Sequence, residues 1–528
     1  MPDLDSESLY RALLAKDTRF DGRFFVGVAT TGVYCRPVCR ARKPLAVNCS
    51  FYATAAEAEQ AGFRPCLLCR PELAPGYAPV DSSASLARAA ARYIERNCGV
   101  QGSLTDIARH LGCSNRHLRR VFEDAYHVRP VEYRQTCRLL LAKSLLTDTD
   151  LSVVDVAYAA GFGSLRRFNE VFRRRYRLTP TALRSQARLN RADGDTVQLS
   201  LGYRPPYRWD LILKFLARRA IPGVEKVEDD RYARTIRLRS SGRDLTGWVA
   251  VGNDSEHNRL AVTVSASLLS ALPVVLDGIK NLFDLHCEPD TVAGALTSMD
   301  DSTLGPFIPG TRVPGCFDAF ETAVLAVLGQ QVTVQAARTL AGRLVQALGS
   351  PVDTRIDGLT TTFPTVQELL NLDGAIEQHL GPLGIIAARA RAIHGLAAMM
   401  SSGIIDASCC PDPEAAVTRF MEIPGIGTWT ANYIAMRCLA WPDAFLATDL
   451  EVRKALRTPP RGKILTLAEC WKPWRAYAVM HLWNRAEAES APEHATKSKK
   501  RNEKKESMHY LNHYESPLGA MTMASDGE

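Results

Sequence analysis

Four cysteines near the start of the chain constrain its fold more than any other sequence feature. Cys35 and Cys39 form a CxxxC pair, and 26 residues further on Cys66 and Cys69 form a CxxC pair. Two close pairs separated by a loop suit one tetrahedral Zn²⁺, and the other ten of the 14 cysteines are not paired in this way. Spacing alone leaves two interpretations open. The zinc either only folds a small domain, or it also keeps one cysteine as a reactive thiolate at neutral pH.

The charge of the chain is concentrated in one segment. Residues 82–190 contain 19 Lys and Arg against 9 Asp and Glu, a net charge of +10, whereas the whole chain of 528 residues carries +8. Such a basic segment indicates an anionic partner, most commonly nucleic acid. The sequence shows neither a signal peptide nor an apolar run long enough for a membrane span, so we expect no membrane partner and cytosolic thiols rather than disulfides.

Composition and periodicity divide the chain into several parts. A length of 528 residues is typical of three or four domains. We predict a multidomain α+β fold with a small zinc domain, an all-α domain, a β-rich subdomain and an α-helical body. The predicted parts are a zinc domain at 1–80, basic helices at 82–190, alternating strands at 195–300, amphipathic helices at 301–490, a charged linker at 491–507 and a short fragment at 508–528.

A repeated pattern in the basic segment predicts two helix-turn-helix units. Residues 106–130 and 155–180 each contain D-x-A, a Gly six residues after the Asp, a basic helix, a Phe, and a Pro eight residues beyond it. The Gly would make the turn, and the basic helix would lie in the major groove of DNA. The candidate base or phosphate contacts are Ser114, Asn115, Arg116, Arg119, Ser164, Arg166, Arg167 and Asn169. We expect phosphate contacts alone from Arg173, Arg174 and Arg175.

The segment 421–456 predicts a helix-hairpin-helix followed by a carboxylate. Gly425 and Gly427 would let backbone N–H groups approach a phosphate, and Thr428 is expected to cap the next helix. A hairpin alone indicates only non-specific DNA binding. Asp449 lies 22 residues beyond Gly427, after the apolar run AFLA. This arrangement resembles the helix-hairpin-helix base-excision glycosylases, and the resemblance implies that Asp449 is the catalytic group.

The first 190 residues resemble a known arrangement of domains. TTGVYCRP, CRAR, SFY and GFRPC occur in the order found in the N-terminal domain of the Ada adaptive-response family, over about 70 residues. The resemblance implies that zinc-bound Cys35 takes a methyl group irreversibly from a DNA methylphosphotriester, with Cys39, Cys66 and Cys69 as the other ligands. Methylation would remove a negative charge that faces DNA and so strengthen binding. The repeated helices resemble the AraC-family DNA-binding domain.

About 290 residues of the second half resemble AlkA-type alkyladenine glycosylases. PPYRWDLILKFLARRA, YAR, PGCFDAFETAVLAVLGQQV, the hairpin and WKPWRAYAVMHLW occur in the expected order. The resemblance implies that Asp449 stabilises an oxocarbenium-like sugar. It also implies that Trp429, Tyr433 and Trp483 line the pocket of a flipped cationic base. No Lys lies between residues 424 and 440, where lyase relatives carry one, so we expect a monofunctional hydrolase of the DNA-3-methyladenine glycosylase II type.

Two further features are interpreted by the same resemblance. Gln330 and Gln331 stand where a relative inserts an apolar wedge, and Gln331 would fill the gap left by the flipped base. The family also holds a monovalent cation on hairpin carbonyl groups. The fragment 508–528 resembles the first strands of an alkylguanine-DNA alkyltransferase and ends before any PCHR motif, so we expect no such activity. A disordered tail is the alternative.

Together these features predict a bacterial, cytoplasmic and nucleoid-associated protein of alkylation repair. It would accept methyl groups at Cys35 and excise 3-methyladenine-type bases with Asp449. It would also bind DNA sequence-specifically and regulate transcription of the adaptive response. The expected partners are double-stranded DNA, alkylated DNA and RNA polymerase. Two alternatives remain: a transcriptional activator whose vestigial glycosylase body serves only as a DNA clamp, and a zinc-scaffolded DNA-binding protein without methyl transfer.

Overall fold

A computed structural model describes most of the chain. The described ranges are 6–17, 20–71, 85–99, 103–186, 195–240, 242–300, 305–403, 410, 412–456, 461–486, 510–516 and 519–525. The predicted charged linker at 491–507 lies outside them. In these ranges no helix has both the length and the hydropathy that a membrane span requires.

The cysteine-containing module is built on a four-stranded sheet. Its elements are α1 (Ser6–Ala15), β1 (Phe25–Val28), β2 (Val33–Cys35), β3 (Cys49–Tyr52), α2 (Ala55–Gln60) and β4 (Arg64–Pro65). The strand order is β3-β1-β2-β4, with β2 and β4 parallel and the other pairs antiparallel. Side chains alternate across a strand, so Val26 and Val28 of β1 share a core with α1 while Phe25 packs with Ala58 of α2.

The basic segment is entirely helical where it is described. Its helices are α3 (Ser85–Arg96), α4 (Leu104–His110), α5 (Asn115–Tyr126), α6 (Pro130–Asp148), α7 (Val153–Ala159), α8 (Leu165–Tyr176) and α9 (Pro180–Gln186). The two units repeat in geometry as well as in sequence. Gly112 and Gly161 have positive φ angles of 65° and 81° at the turns, and α5 and α8 both end on a left-handed residue, His127 and Arg177.

A five-stranded antiparallel sheet follows, in the order β5-β9-β8-β7-β6. Its strands alternate between buried and more exposed residues, as in β5, where Val197, Leu199 and Leu201 are buried. The elements of this part are β5 (Thr196–Gly202), α10 (Trp209–Arg219), β6 (Glu225–Glu228), β7 (Arg231–Ser240), β8 (Arg243–Asp254), β9 (Arg259–Ser265), α11 (Leu272–Leu282) and α12 (Pro289–Ala295).

The remaining body is a helical bundle with one small hairpin, β10 (Ser350–Pro351) paired with β11 (Thr361–Thr362). Its labelled helices are α13 (Ala319–Leu328), α14 (Val334–Leu348), α15 (Val366–Leu370), α16 (Ile376–Leu380), α17 (Ala387–Ser401), α18 (Pro413–Met421), α19 (Thr428–Cys438), α20 (Leu450–Ala455) and α21 (Arg461–Ala468). A further helix covers 475–486. The fragment at the end of the chain contains an antiparallel pair, β12 (Tyr510–Ser516) and β13 (Gly519–Ser525).

The apolar cores cross the boundaries suggested by composition. One cluster begins at Leu139 in α6, includes Phe168 and Phe172 of the second helix-turn-helix unit, and continues through the five-stranded sheet into the helical body. The first unit has a separate cluster around Leu118 and Phe122. The predicted multidomain α+β fold is confirmed, and its second DNA-binding unit packs directly on the body that follows it.

Candidate functional sites

The four predicted zinc ligands come together in the first module. The Sγ atoms of Cys35, Cys39, Cys66 and Cys69 all lie within 4.8 Å of one another. Zn–S bonds of about 2.3 Å in a tetrahedron place sulfur atoms about 3.8 Å apart, so these four thiols fit one Zn²⁺. The sheet joins the two pairs, because Cys35 ends β2 and the Cys66 N–H donates to the Tyr34 carbonyl at 3.0 Å.

The basic residues around the cluster divide into two groups. The Arg36 guanidinium forms a two-point ion pair with Asp21 and also donates to the carbonyl of Cys69 at 3.2 Å. The Arg36 backbone N–H points at the Cys69 sulfur at 3.4 Å, which complements a thiolate. These contacts hold Arg36 against the cluster, where it stabilises the position of Cys69. Arg40 and Arg42 are exposed and present their charges to solvent, where a phosphate could approach.

The serines considered as base contacts begin the two recognition helices. The Ser114 hydroxyl accepts a hydrogen bond from the His117 N–H, and the Ser164 hydroxyl accepts one from the Arg167 N–H, at 3.2 Å each. These are N-cap interactions, in which the side-chain oxygen satisfies a free backbone donor of the first turn. Both serines therefore have a local structural role that explains their presence.

The candidate arginines lie on the exposed faces of α5 and α8. Arg116, Arg119 and Arg166 are exposed. Arg167 is exposed too and forms an ion pair with Glu170 at 3.0 Å, one turn along α8. Since each of these helices begins after a Gly turn, such side chains are in the position from which helix-turn-helix proteins reach a DNA groove.

The three consecutive arginines of α8 do not behave alike. Arg173 and Arg174 are exposed, as phosphate contact requires. The Arg175 Nε lies 3.4 Å from the carboxylate of Glu59 in the zinc module, so the expectation of a phosphate contact is not met there. Helical periodicity explains the difference, because Arg175 lies three residues beyond Phe172 and shares its inward face.

The hairpin between α18 and α19 has an open helix start. Gly425 takes a positive φ of 92°, which favours glycine. The expectation that Thr428 caps the helix is wrong: the N-cap is Gly427, which makes no side-chain cap hydrogen bond, and Thr428 is the first helical residue. Gly425, Gly427 and Thr428 are all exposed. The first N–H groups of α19 are thereby accessible to an anion such as phosphate.

The carboxylate of Asp449 accepts four hydrogen bonds. Its Oδ1 accepts from the backbone N–H groups of Glu451 and Val452 at 3.0 Å each, because Asp449 is the N-cap of α20. The indole of Trp483 donates to Oδ1 at 2.9 Å, and that of Trp429 donates to Oδ2 at 3.0 Å. Four donors complement the negative charge and hold the group in one orientation.

The three predicted pocket aromatics share a cleft with that carboxylate. Trp429 and Tyr433 are stacked with ring centroids 5.1 Å apart and planes 12° apart. The rings of Tyr433 and Trp483 are 6.4 Å apart and tilted. Because Trp429 and Trp483 also bind Asp449, the structure places the carboxylate and the aromatic faces side by side.

Three residues of the cleft were not identified from the sequence. Phe215 stacks beside Trp483 at 6.3 Å, and the Arg219 guanidinium lies 3.7 Å from the Phe215 ring centroid. Arg437 is buried and donates to the Tyr433 hydroxyl oxygen at 2.8 Å. Phe215 and Arg219 come from α10, far from the hairpin in sequence, so no local pattern connects them. The i,i+4 spacing of Tyr433 and Arg437 could have indicated Arg437.

The two glutamines after α13 have different surroundings. The Gln330 amide donates to the Gly425 carbonyl and to the Thr430 hydroxyl, at 2.9 Å each, and Arg389 donates to the Gln330 carbonyl. Gln330 therefore ties this loop to the hairpin. Gln331 is exposed at the cleft in a left-handed conformation with φ of 54°. Of the two, Gln331 is the one free to approach DNA.

The fold and these sites define a class: a cysteine metal site and a helix-turn-helix domain joined to a helix-hairpin-helix base-excision body. Family models match in the predicted order and with these descriptions: metal binding domain of Ada at 8–72, helix-turn-helix domain at 107–186, AlkA N-terminal domain at 198–318, and HhH-GPD superfamily base excision DNA repair protein at 324–475. The Ada-type, AraC-type and AlkA-type resemblances drawn from the sequence are thus confirmed, together with the zinc-binding and DNA-binding classes.

Similar proteins identify the family. A probable bifunctional transcriptional activator/DNA repair enzyme AlkA of Mycobacterium tuberculosis is 38% identical over 495 residues, which cover 92% of this chain and 97% of that protein. The DNA-3-methyladenine glycosylase 2 of Escherichia coli is 38% identical over 284 residues, 54% of this chain and 96% of that protein. A 3-methyladenine DNA-glycosylase structure from Archaeoglobus fulgidus covers 55% of this chain and 98% of its own, with 21% identity and a TM-score of 0.44. The chain belongs to the family of bifunctional transcriptional activator/DNA repair enzymes AlkA.

Proposed function

We propose that the cleft around Asp449 excises alkylated bases from DNA by hydrolysis of the N-glycosidic bond, with bases of the 3-methyladenine type as substrates. The arrangement that carries this proposal is the four-donor carboxylate beside the stacked rings of Trp429 and Tyr433. A carboxylate fixed in this way can stabilise positive charge on a sugar, and the aromatic faces can hold a cationic base.

The chemistry requires few protein groups. Breaking the glycosidic bond develops an oxocarbenium-like sugar, which the Asp449 carboxylate stabilises, and the same group orients or deprotonates the attacking water. A base alkylated at a ring nitrogen is already cationic and leaves as a neutral molecule, so no general acid is needed. Trp429, Tyr433 and Trp483 would hold the flipped base. No Lys is available between residues 424 and 440 for a Schiff base, so the product is an abasic site.

The DNA backbone would be held next to this cleft. We propose that Gly425, Gly427 and Thr428 bind a phosphate through the open start of α19, and that Gln331 fills the gap left by the flipped base. We also propose a monovalent cation on the backbone carbonyl groups of the hairpin, because oxygen atoms suit hard cations. A dependence of DNA binding on K⁺ or Na⁺ at constant ionic strength would test that site.

At the other end of the chain we propose that Cys35 is a single-use methyl acceptor, with Cys39, Cys66 and Cys69 as the remaining zinc ligands. Bound zinc keeps the sulfur atoms deprotonated. The Cys35 thiolate attacks the methyl carbon of a methylphosphotriester, the carbon–oxygen bond breaks, and its electron pair leaves with the phosphodiester anion. Cys35 becomes a neutral thioether, so repulsion of the DNA backbone falls. A Cys35→Ala protein that still acquires the methyl group would contradict this assignment.

The helix-turn-helix units would then direct the protein to DNA. We propose that Arg116, Arg119, Arg166 and Arg167 contact the duplex, that binding regulates transcription of the adaptive response, and that RNA polymerase is a partner. These activities would place the protein in the bacterial cytoplasm, associated with the nucleoid.

The deciding experiment measures release of methylated bases from alkylated duplex DNA by the purified protein, with strand cleavage followed in the same samples. Base release without cleavage, until alkali is added, is the expected result. Cleavage without alkali would contradict the monofunctional assignment. No release at all would favour the alternative function, a transcriptional activator whose glycosylase body is vestigial.

A further inference from the structure

One carboxylate of the zinc module is buried at its junction with the helix-turn-helix domain. Glu59, on α2, is fully inaccessible to solvent. Its Oε1 accepts hydrogen bonds from the hydroxyl groups of Tyr34 at 3.1 Å and Tyr176 at 3.3 Å. Its Oε2 accepts one from the Thr136 hydroxyl at 2.9 Å and lies 3.4 Å from the Arg175 Nε. A single side chain therefore joins four groups from three elements outside its own helix.

These partners connect functionally distinct parts of the chain. Tyr34 lies in β2, next to the proposed methyl acceptor Cys35. Arg175 and Tyr176 form the last turn of α8, the recognition helix of the second unit. Helix α8 also packs against β4, the strand that leads into Cys66. The zinc module and this recognition helix are thus in direct contact.

A second ion pair holds the same junction. Arg70, the residue after Cys69, binds Asp148 at the end of α6 at 2.5 Å, and both side chains are largely buried. The first helix-turn-helix unit is attached by apolar packing. Its recognition helix α5 belongs to the cluster around Leu118 and Phe122, which also includes Ala56 of α2 in the zinc module.

The energetics favour a role in geometry over one in stability. Burial raises the pKa of Glu59, and Arg175 and the three hydroxyl groups oppose that rise. Burying a carboxylate is costly unless every partner is in place, and apolar residues of similar volume often stabilise a core as well or better. A buried carboxylate whose two oxygens both accept hydrogen bonds instead favours one arrangement of the elements around it.

We propose that Glu59 is a positioning residue that fixes the zinc module and the second helix-turn-helix unit as one rigid body, so that both contact the same DNA duplex at a set spacing. This inference rests on the proposed contact of the Cys35 region with DNA. Two DNA-binding surfaces held at a fixed spacing lose little conformational entropy when both bind the same duplex. Two surfaces that move relative to each other lose more, so their combined affinity is lower.

The test uses the full chain and two variants, each of which removes one partner of the interaction between Glu59 and α8. Glu59→Ala removes the carboxylate from the zinc module, and Tyr176→Phe removes one hydroxyl partner from α8 without touching the zinc module. Glu57→Gln is the matched control, because Glu57 lies on the same helix and binds the Ala53 N–H within its own module at 2.8 Å. Each protein is assayed for zinc content, for affinity to a duplex oligonucleotide, and for the salt dependence of that affinity.

We expect Glu59→Ala to bind duplex DNA at least tenfold more weakly than the wild type, with zinc content unchanged, and Tyr176→Phe to change affinity in the same direction. The slope of log affinity against log salt should also become shallower by about two units as the phosphate contacts of one surface are lost. A role in stability alone would lower the folded fraction and leave that slope unchanged. An affinity within twofold of the wild type, together with a slope changed by less than about one unit, would overturn the proposal.

If the Glu59→Ala protein loses zinc, the DNA affinity and salt dependence of Tyr176→Phe decide whether the proposal holds, by the same criteria. Methyl transfer to Cys35 is measured separately, by the mass of the Cys35 peptide after exposure to methylphosphotriester DNA. Absence of transfer by the wild type would refute the proposed function of Cys35. The affinities of the unmethylated proteins would still decide whether Glu59 positions the two surfaces.

Discussion

Replacement of Asp449 by asparagine tests the glycosylase chemistry with little change of shape. A unit charge about 4 Å from the cationic sugar, at an effective dielectric constant of about 20, contributes about 4 kcal/mol. Since about 1.4 kcal/mol corresponds to a factor of ten, Asp449→Asn should lower the rate constant for base release about 10³-fold. The measurement is single-turnover release of methylated base from alkylated duplex DNA, with enzyme in excess.

The hydrogen bonds of Asp449 predict a second effect of the same substitution. The amide oxygen can still accept from the three donors at Oδ1, but the NH₂ group then faces the Trp429 N–H, which is 3.0 Å from Oδ2 in the wild type. A lost hydrogen bond of this kind costs about 1–3 kcal/mol, so the unfolding temperature should fall measurably.

A neighbouring carboxylate supplies the control for Asp449→Asn. Glu451→Gln removes the same charge from the first turn of α20, where the Glu451 side chain is about half exposed, at 46%, and pairs with Lys454 at 3.0 Å. We expect release within about threefold of the wild type, because an exposed charge is screened by solvent. If Asp449→Asn retained more than a tenth of wild-type release, the carboxylate would not be the main stabiliser of the sugar cation.

Three further predictions concern other parts of the molecule. Gln330→Glu replaces the amide donor opposite the Gly425 carbonyl with an acceptor and should lower base release about tenfold, whereas Gln335→Glu, on the exposed side of α14, should not change it. Removing zinc with a chelator should abolish methyl uptake and leave base release intact, because the two sites lie in separate cores. Burial raises the pKa of Asp284 to about 6. The folded protein therefore binds this proton more tightly than the unfolded chain, and Asp284 costs stability as the pH rises from about 4 to about 6. The stability advantage of Asp284→Asn over wild type in chemical denaturation should grow across that window and stay constant above it.

The sequence predicted those features that depend on local spacing. The paired cysteines, the two Gly turns and the hairpin glycines each follow from a short pattern, and the structure shows the corresponding local geometry. Ser114 and Ser164 were considered for base contact although a serine before a helix is a common N-cap, so the cap was the simpler prediction. Arg175 could have been separated from Arg173 and Arg174 by helical phase relative to Phe172.

Other features depend on contacts between distant segments. The junction at Glu59 joins residues 77 and 117 positions apart in the chain, and nothing around Glu59 in the sequence marks it as buried. The pocket residues Phe215 and Arg219 reach the cleft beside Trp483 only because α10 packs on the helical body. Such contacts are set by the packing of whole modules, and a single sequence read by periodicity does not contain that information.

The shared apolar core has a consequence for how the protein unfolds and for how it can be divided. Phe168 and Phe172 belong to the same cluster as the five-stranded sheet, so the second DNA-binding unit and the base-excision body should melt in one cooperative transition. A chain cut near residue 190, where composition suggests a boundary, would expose that apolar face on both pieces and should aggregate. The two apolar clusters divide instead within the helix-turn-helix domain, between its repeats. We therefore expect part of the regulator to fold only together with the enzyme.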